Sequence, residues 1–252
     1  MATKDILELR EFLTANTWLE MDLTLSDESK NFPRPPVQKA PLPGQELIHL
    51  PEFNRDILQK EDIISLIQSR RSRRLYSSCA LSLQELSFLL WATQGVRKAT
   101  DDRIVRNVAS AGNRHTFETY LAVFRVEELK EGIYRYLPLE HALIFEFSVP
   151  DLSEKMIEIG RNYRYVGQSA VTFIWTTIPY RMEWRYMESS ARLIAIDAGH
   201  VCQNLYLACE AIGCGTCAIG AFIQTKADEL LQLDGKEEFV FYMAPVGKQL
   251  GK

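Results

Sequence analysis

A long apolar run near the C-terminal end of the chain places the strongest constraint on the fold. From about Glu188 to Ile212 the sequence includes the stretch A-R-L-I-A-I-D-A-G-H-V-C-Q-N-L-Y-L-A-C-E-A-I, and Gly213 follows as a stop signal. Apolar residues cover most of the circumference of such a helix, so its surface must be surrounded by protein. We expect a helix at the centre of the core or at a dimer interface.

The composition indicates an ordinary globular protein. The chain has 252 residues, of which 46% are hydrophobic, and a formal net charge of −4, which argues against a surface built for nucleic acid or anionic membrane. Five cysteines are few and odd in number, so we expect a reducing compartment rather than a disulfide framework. No apolar run reaches the roughly 18 residues of a membrane span, and Met1 to Trp18 carry no signal-peptide pattern. We therefore expect a cytoplasmic protein without nucleic-acid or membrane partners.

Shorter elements surround the long helix. Ser82 and Glu85 form a capping box that opens a helix ending at Gly95. Thr225 is expected to cap a helix over 226–233. Alternation and β-branched residues predict the strands, and local periodicity predicts two more helices. The predicted strands are 119–126, 133–136, 143–147, 171–178 and 239–246, and the further helices are 6–13 and 62–69.

The first 60 residues differ from the rest because proline is concentrated between Asn31 and Pro51. That much proline excludes a helix or a central strand. A flexible linker is one interpretation. The apolar side chains of Leu42, Leu47 and Ile48 favour instead an ordered arm lying on the main body or on a partner subunit. We divide the chain into an arm over 1–60 and one domain over 61–252.

The densest charged feature is the segment R-R-S-R-R over 70–74. Arginine binds phosphate bidentately and a serine hydroxyl adds a short hydrogen bond. Alternate residues of an extended segment face one side, so Arg70, Ser72 and Arg74 would make a phosphate cradle. A solvated basic turn, or a nuclear-localisation or RNA-binding patch, is the alternative.

A second candidate is the small-residue turn S-A-G-N-R-H over 110–115. Such a turn lets the backbone approach a flat ligand, while Ser110 and Asn113 offer hydrogen bonds. An ordinary loop is the alternative. His115 is more often structural than catalytic, because nothing places a nucleophile beside it.

The third candidate is G-C-G-T-C-A-I-G-A-F over 213–222. Its C-x-x-C pattern, with Cys202 and Cys209 upstream, suggests a metal site or a redox dithiol. The spacing of the cysteines argues against both and favours buried thiols that serve packing, with no metal bound. The glycines do not match G-x-G-x-x-G and follow a helix rather than a strand. A glycine-rich strand edge whose N–H groups face a cofactor is the more plausible use.

Together these segments resemble the nitroreductase family of FMN-dependent flavoproteins, in particular its SagB-type dehydrogenase branch. The arm resembles one found in that branch. The matching stretches are R-R-S-R-R, L-S-L-Q-E-L-S-F-L-L-W-A-T-Q-G, A-S-A-G-N-R-H-T-F-E-T-Y, G-I-Y-R-Y, W-R-Y, D-A-G-H-V-C-Q-N-L-Y-L-A and G-C-G-T-C-A-I-G-A-F, in this order along the chain.

The resemblance implies an α+β fold with a central, mostly antiparallel sheet flanked by helices, in an intertwined homodimer with FMN at the subunit interface. It implies that Arg70 and Ser72 hold the phosphate or ribityl chain, and that Arg74 approaches the flavin N1/O2 edge instead. It further implies that the 110–113 turn reaches the flavin from the other subunit and that backbone N–H groups near Gly220 approach flavin N5. The cofactor-binding residues so implied are Arg70, Arg71, Ser72, Arg74, Ser110, Ala111, Gly112, Asn113, Ile219, Gly220 and Ala221, with a looser match at Gly247 and Lys248.

The sequence departs from the family pattern at two places. Ala109 replaces the usual proline of the turn. Azoline-oxidising members carry W-K-Y with a Lys-Tyr pair linked to proton abstraction, whereas this chain has Arg185 and Tyr186. Arginine stays protonated and is a poor general base, so azoline formation is not expected, while Tyr186 can donate or relay a proton. Arg185 is interpreted either as an ion-pair residue or as a contact to a substrate anion.

The resemblance implies an FMN-dependent oxidoreductase. NADH or NADPH would reduce the flavin, and a nitroaromatic, quinone or similar electron-poor small molecule would then be reduced. The W-R-Y match leaves Arg185 and Tyr186 as the candidate catalytic residues, with most of the chemistry on the flavin. Two alternatives remain at this point: a SagB-type dehydrogenase that oxidises a peptide-derived or other small substrate, and a non-catalytic flavin-binding scaffold.

Overall fold

The fold was analysed in a computed structural model, which describes residues 6–100 and 104–250. The ends of the predicted arm and domain, residues 1–5 and 251–252, lie outside the described residues. The helices are α1 (Ile6–Glu11), α2 (Thr17–Glu20), α3 (Ile63–Ser69), α4 (Leu83–Gln94), α5 (Leu152–Ile159), α6 (Tyr180–Tyr186), α7 (Ser190–Ala211) and α8 (Gln224–Leu230). The strands are β1 (Leu47–His49), β2 (Val96–Ala99), β3 (Ile104–Arg106), β4 (Phe117–Val123), β5 (Gly132–Leu137), β6 (Ala142–Phe147), β7 (Val171–Thr177), β8 (Cys214–Thr216) and β9 (Phe239–Lys248).

A seven-stranded sheet forms the centre of the molecule, in the order β1-β6-β5-β4-β7-β9-β8. Each neighbouring pair runs antiparallel. The α+β class with an antiparallel sheet flanked by helices is therefore confirmed. β2 and β3 pair in a separate antiparallel two-stranded sheet, and neither strand was predicted.

Both faces of the sheet are buried, because alternate side chains of one strand enter different cores. In β4, Leu121 and Val123 belong to the larger core, which includes α4 and α7. Tyr120 and Ala122 belong to the second core, which includes α5 and α8. Period-two alternation thus places apolar residues on both faces of the strand.

The long helix predicted over 188–212 is α7. One side is buried in the larger core, for example Val201 and Leu205. The opposite side is exposed in the single chain and carries Ala195, Ile196 and Gly199. Gly213 ends the helix with φ +69, a conformation that glycine adopts without steric cost.

The capping box at α4 is present as predicted: the Ser82 hydroxyl accepts from the Glu85 N–H, and the Glu85 carboxylate accepts from the Ser82 N–H. The expected cap at Thr225 is wrong, because α8 begins at Gln224 with Ile223 at the N-cap. Helices α5 and α6 were not predicted.

The segment after α2 is packed against the body. The Arg135 guanidinium donates to the carbonyls of Lys39 and Ala40, and Arg106 donates to the carbonyl of Val37 at 2.8 Å. Strand β1 then pairs with β6 at the sheet edge. Backbone carbonyls that cannot pair in a regular element are therefore satisfied by buried arginines.

None of the described helices is long and apolar enough to cross a membrane.

Candidate functional site

The arginine segment 70–74 runs as an extended chain beside β8. Ser72 forms a parallel bridge to Thr216, and the Arg73 N–H donates to the Thr216 carbonyl at 2.9 Å. An extended backbone sends alternate side chains to opposite sides. Arg73 accordingly points inward, while Ser72 points to the other side, where it meets Tyr206.

Arg73 is held by a buried carboxylate. Its Nε and Nη2 atoms lie 3.2 and 2.9 Å from Oε1 of Glu210, which is 2% exposed. Lys60 approaches the other carboxylate oxygen at 3.3 Å. A Cβ at position 215 would lie 2.6 Å from Cδ of Arg73, so Gly215 leaves room for the arginine stem. These contacts fix the register of the 70–74 segment against β8.

Tyr206 on α7 joins two of the candidate segments. Its hydroxyl is hydrogen bonded to the Ser72 hydroxyl at 2.9 Å and accepts from the Ala218 N–H at 2.9 Å. The Arg70 guanidinium lies over its ring, 5.4 Å from the centroid. Tyr206 was not predicted as a site residue, although it is the one tyrosine of α7, and that was a usable signal.

Arg74 lies on the outer side with the phenol of Tyr165, whose ring centroid is 6.0 Å from the guanidinium. The pKa of Arg74 is raised, first by electrostatic attraction to Cys217 and next by a hydrogen bond to Tyr165. Arg71 is exposed. Arg70, Ser72 and Arg74 thus present two guanidinium groups and a hydroxyl on the side away from Glu210, which is the donor set that a phosphate group requires.

Lys248 and Gly247, at the end of β9, contact other residues of the same chain. The Lys248 ammonium is paired with the carboxylate of Glu85, the same side chain that completes the capping box of α4. A Cβ at position 247 would lie 2.8 Å from Cβ of Tyr76. In the single chain Lys248 therefore contacts the start of α4, and Gly247 packs against the segment that follows the arginines.

The glycine-rich segment after β8 crosses the sheet edge. The Ile219 N–H donates to the Met243 carbonyl at 2.8 Å, so this N–H is not available to a ligand. Gly220 and Ala221 are exposed, and a Cβ at Gly220 would have only Tyr242 nearby, at 3.7 Å. The exposed backbone at 220–221 leaves room for a flat ligand.

The cysteines of this region are buried. Cys202, Cys209, Cys214 and Cys217 are all free thiols inside the protein. Burial raises the pKa of Cys202 and of Cys214 to about 12. Among the described residues no group of histidine, cysteine and carboxylate side chains could hold a metal ion.

The turn 110–113 is fixed from within the chain. The Ala111 N–H donates to both carboxylate oxygens of Asp197 on α7, at 3.1 and 3.2 Å. Asn113 Oδ1 lies 2.9 Å from His115 Nε2, and its Nδ2 donates to the Ile104 carbonyl. The Ser110 hydroxyl accepts from the His115 N–H at 2.9 Å. The polar side chains expected to face a ligand therefore hold the turn in shape, and the exposed Gly112 is the part open to an approaching molecule.

Arg185 and Tyr186 end helix α6 beside this turn. A Cβ at position 112, where φ is +53, would overlap the Tyr186 hydroxyl, so only glycine lets the tyrosine pack against the turn. Arg185 Nη1 lies 3.2 Å from a carboxylate oxygen of Glu28, the ion pair that was one of its two interpretations. Trp18 packs edge-on against Tyr186 with ring centroids 5.7 Å apart.

The structure brings the candidate residues together in two groups. The 70–74 and 218–221 segments meet at Tyr206, while the 110–113 turn meets α7 at Asp197. Asp197 and Tyr206 are nine positions apart on α7, which is about 14 Å along the helix at 1.5 Å per residue. Within one chain the turn is thus well separated from the arginine cradle.

Comparisons with known proteins agree on one family. The family model described as Nitroreductase family matches residues 67–248. A candidate nitroreductase of Methanocaldococcus jannaschii is 30% identical over 203 residues, which cover 81% of this chain and 96% of that protein.

Solved structures share the fold. A candidate nitroreductase from Ralstonia eutropha superposes with a TM-score of 0.67 at 24% identity, covering 88% of this chain and 100% of that one. A chain of the Escherichia coli microcin synthetase McbBCD complex gives 0.61 at 17% identity and 98% coverage of both chains. The NADPH:FMN oxidoreductase of Vibrio harveyi, solved with NAD+, gives 0.51 at 18% identity, covering 75% of this chain and 69% of that one. The matched length and the shared fold together show that this chain belongs to the nitroreductase family.

Proposed function

We propose that the protein is an FMN-dependent oxidoreductase that uses NADH or NADPH to reduce nitroaromatic, quinone or similar electron-poor small molecules. The observation that carries the proposal is the cradle: Arg70, Ser72 and Arg74 on one side of an extended segment whose opposite side is anchored by Arg73 and Glu210. Tyr206 joins the cradle at Ser72 to Ala218, two residues before the exposed backbone at 220–221, so a phosphate and a flat ring system can be held together.

The residues present fit FMN. Arg70 and Ser72 would hold its phosphate or ribityl chain, and Arg71 lies exposed in the same segment. Arg74 would supply positive charge to the phosphate or to the N1/O2 edge of the ring. The N–H groups of Gly220 and Ala221 would face N5. Bound FMN would supply the hydride chemistry, and the chain's own groups would position it and exclude water.

We further propose a homodimer with FMN at the subunit interface. The turn at Gly112 lies about 14 Å along α7 from the cradle, so in one chain it is poorly placed to share a ligand with it. A second copy packed on the exposed side of α7 would bring its own turn toward the first cradle. The small residues Ala195 and Gly199 on that side permit close helix approach. The role of Tyr186 as a proton donor would then be exerted across the interface.

Support for the donor and cofactor comes from the Vibrio harveyi neighbour, whose name includes both NADPH and FMN. The unpaired cysteines fit a reducing compartment, and we place the enzyme in the cytoplasm.

The second candidate is a flavin dehydrogenase that oxidises a peptide-derived or other small substrate. The microcin synthetase neighbour favours a peptide-derived substrate, because that complex was solved with truncated pro-MccB17 bound and the match extends over 98% of both chains. Arg185 argues against azoline formation, because that reaction needs a base to abstract a proton and a guanidinium paired with Glu28 is not a base. A flavin-binding scaffold without activity has no particular observation in its favour.

Cofactor binding and reduction separate these candidates. The purified protein is expected to be yellow or to take up added FMN, and anaerobic NADH or NADPH is expected to bleach it. Failure to bind FMN would refute the proposal and the dehydrogenase candidate together. Binding without bleaching by either nucleotide would favour the dehydrogenase or the scaffold.

The cradle itself is tested by the double variant Arg70→Ala, Ser72→Ala. We expect FMN affinity to fall at least about 30-fold, since two charge-assisted or hydroxyl contacts are lost. Arg97→Ala, an exposed arginine on β2, is the control for loss of charge. Unchanged FMN retention in the double variant would show that the cradle is misplaced.

A further inference from the structure

Several arginines meet where the arm, the 110–115 turn and α6 come together. The Arg114 guanidinium lies over the Trp184 ring at 4.5 Å from the centroid. Arg34 donates to the Asn113 carbonyl at 3.3 Å, and Arg185 projects from the last turn of α6. Both Arg34 and Arg185 act electrostatically on Arg114. Three positive side chains from three separate segments therefore converge on one place.

Arg114 is buried and carries a side-chain nitrogen without a hydrogen-bond partner among the described residues. It is 2% exposed, and its Nε donates to the Arg181 carbonyl at 2.8 Å. That nitrogen without a partner among the described residues is Nη2. Burial first, and then Arg34, lower its pKa to about 10. A buried donor without an acceptor is costly and is usually matched by a bound water or ligand.

Glu28 of the arm places a carboxylate against this cluster. It attracts Arg114 and lies 3.2 Å from Arg185, and its backbone N–H donates to the Trp184 carbonyl at 2.9 Å. The side chains of Glu28 and Arg185 are 37% and 42% exposed. Ion pairs this exposed to water are weak, so another carboxylate can replace Glu28 at little cost.

We propose that Arg34, Arg114 and Arg185 form a subsite for the carboxylate of an anionic acceptor substrate, and that Glu28 occupies this subsite until the substrate displaces it. The proposal rests on the proposed function and specifies its substrate class. The subsite adjoins Tyr186, which packs against Gly112. Gly112 lies in the 110–113 turn, which would face the flavin. An acceptor held by its carboxylate would extend its ring toward that turn. Arg185 is then a substrate contact as well as an ion-pair residue.

Binding of a matched pair of ligands to the full-length protein tests the subsite. The probes are 4-nitrobenzoate and 4-nitrobenzamide, which differ in charge but little in shape, with binding followed by calorimetry and by quenching of tryptophan fluorescence. We expect 4-nitrobenzoate to bind at least about tenfold more tightly, as an added charge-assisted contact allows. Arg185→Gln and Arg34→Gln should each reduce this ratio several-fold, whereas Glu28→Gln should increase it.

Arg55→Gln, which removes an exposed arginine paired with Glu61, controls for net charge and should leave the ratio unchanged. Equal affinity of the wild type for the two probes would overturn the subsite. It would also be overturned if Arg55→Gln lowered the affinity ratio as much as Arg185→Gln and Arg34→Gln do. These measurements need no turnover, so they remain decisive if NADH and NADPH fail to reduce the flavin. If turnover is observed, the ratio of kcat/KM for the two probes should follow the ratio of affinities.

Discussion

Acidification should destabilise the fold through one buried imidazole, His115. Its side chain is 3% exposed, and Nε2 lies 2.9 Å from Asn113 Oδ1 in the turn that approaches Tyr186. Burial first, and then the nearby Arg106 guanidinium, lower its pKa to about 3. The folded protein therefore keeps this ring neutral across a pH range in which an exposed histidine takes up a proton.

Proton linkage determines whether acid raises or lowers the free energy of unfolding. A histidine with an ordinary pKa near 6.5 in the unfolded chain binds a proton more readily there than in the folded protein. The stability that depends on neutral His115 is fully present above about pH 6.5 and is lost as the pH falls toward about 3. Each pH unit below 6.5 should cost up to about 1.4 kcal/mol, so roughly 2.7 kcal/mol is lost by about pH 4.5.

Urea unfolding at several pH values between about 7.5 and 4.5 measures this loss. The comparison is between the wild type and His115→Gln, which keeps a polar side chain but cannot titrate. His141, whose pKa burial also lowers, is present in both proteins and cancels. The difference in unfolding free energy between them should shrink by about 2–3 kcal/mol on acidification. Two curves that stay parallel down to the lowest pH would refute the assignment of this pKa to His115.

Three further substitutions test the packing of the site. Gly112→Ala should destabilise the protein by about 2 kcal/mol in urea unfolding, because φ is +53 and the new methyl group meets Tyr186; no loss would contradict that contact. Gly215→Ala should push Arg73 aside, lowering stability by about 1–3 kcal/mol and FMN affinity in a fluorescence titration. Tyr206→Phe removes two hydrogen bonds worth about 0.5–1.5 kcal/mol each, and unchanged FMN affinity and thermal stability would show that they are dispensable.

Local signals in the sequence predicted most of the elements that surround the site. The capping box at Ser82 and the stop at Gly213 marked helix ends that the structure reproduces. The length and apolar character of α7 indicated a central position, because such a surface cannot remain in water. The family resemblance then supplied the order of the site segments, and the family model confirms the family itself over residues 67–248.

The contacts between distant segments could not be predicted. Nothing local signals that Tyr206 bonds Ser72 or that Glu210 anchors Arg73, since these pairs are more than a hundred residues apart in the chain. Lys248, which matches the family's phosphate-side segment only loosely, is paired with Glu85, and this pairing depends on how β9 meets α4. The role of each predicted cofactor residue stays a prediction.

The position of β9 has a consequence for how the protein is made. This strand lies between β7 and β8 in the sheet, and β8 in turn forms the bridge from Thr216 to Ser72. During synthesis the arginine segment emerges early, but its partner strand has no place in the sheet until Phe239–Lys248 has left the ribosome. Pairing of such distant segments is slow. Binding of the proposed FMN should therefore require β9, and chains truncated before β9 are expected not to take up FMN.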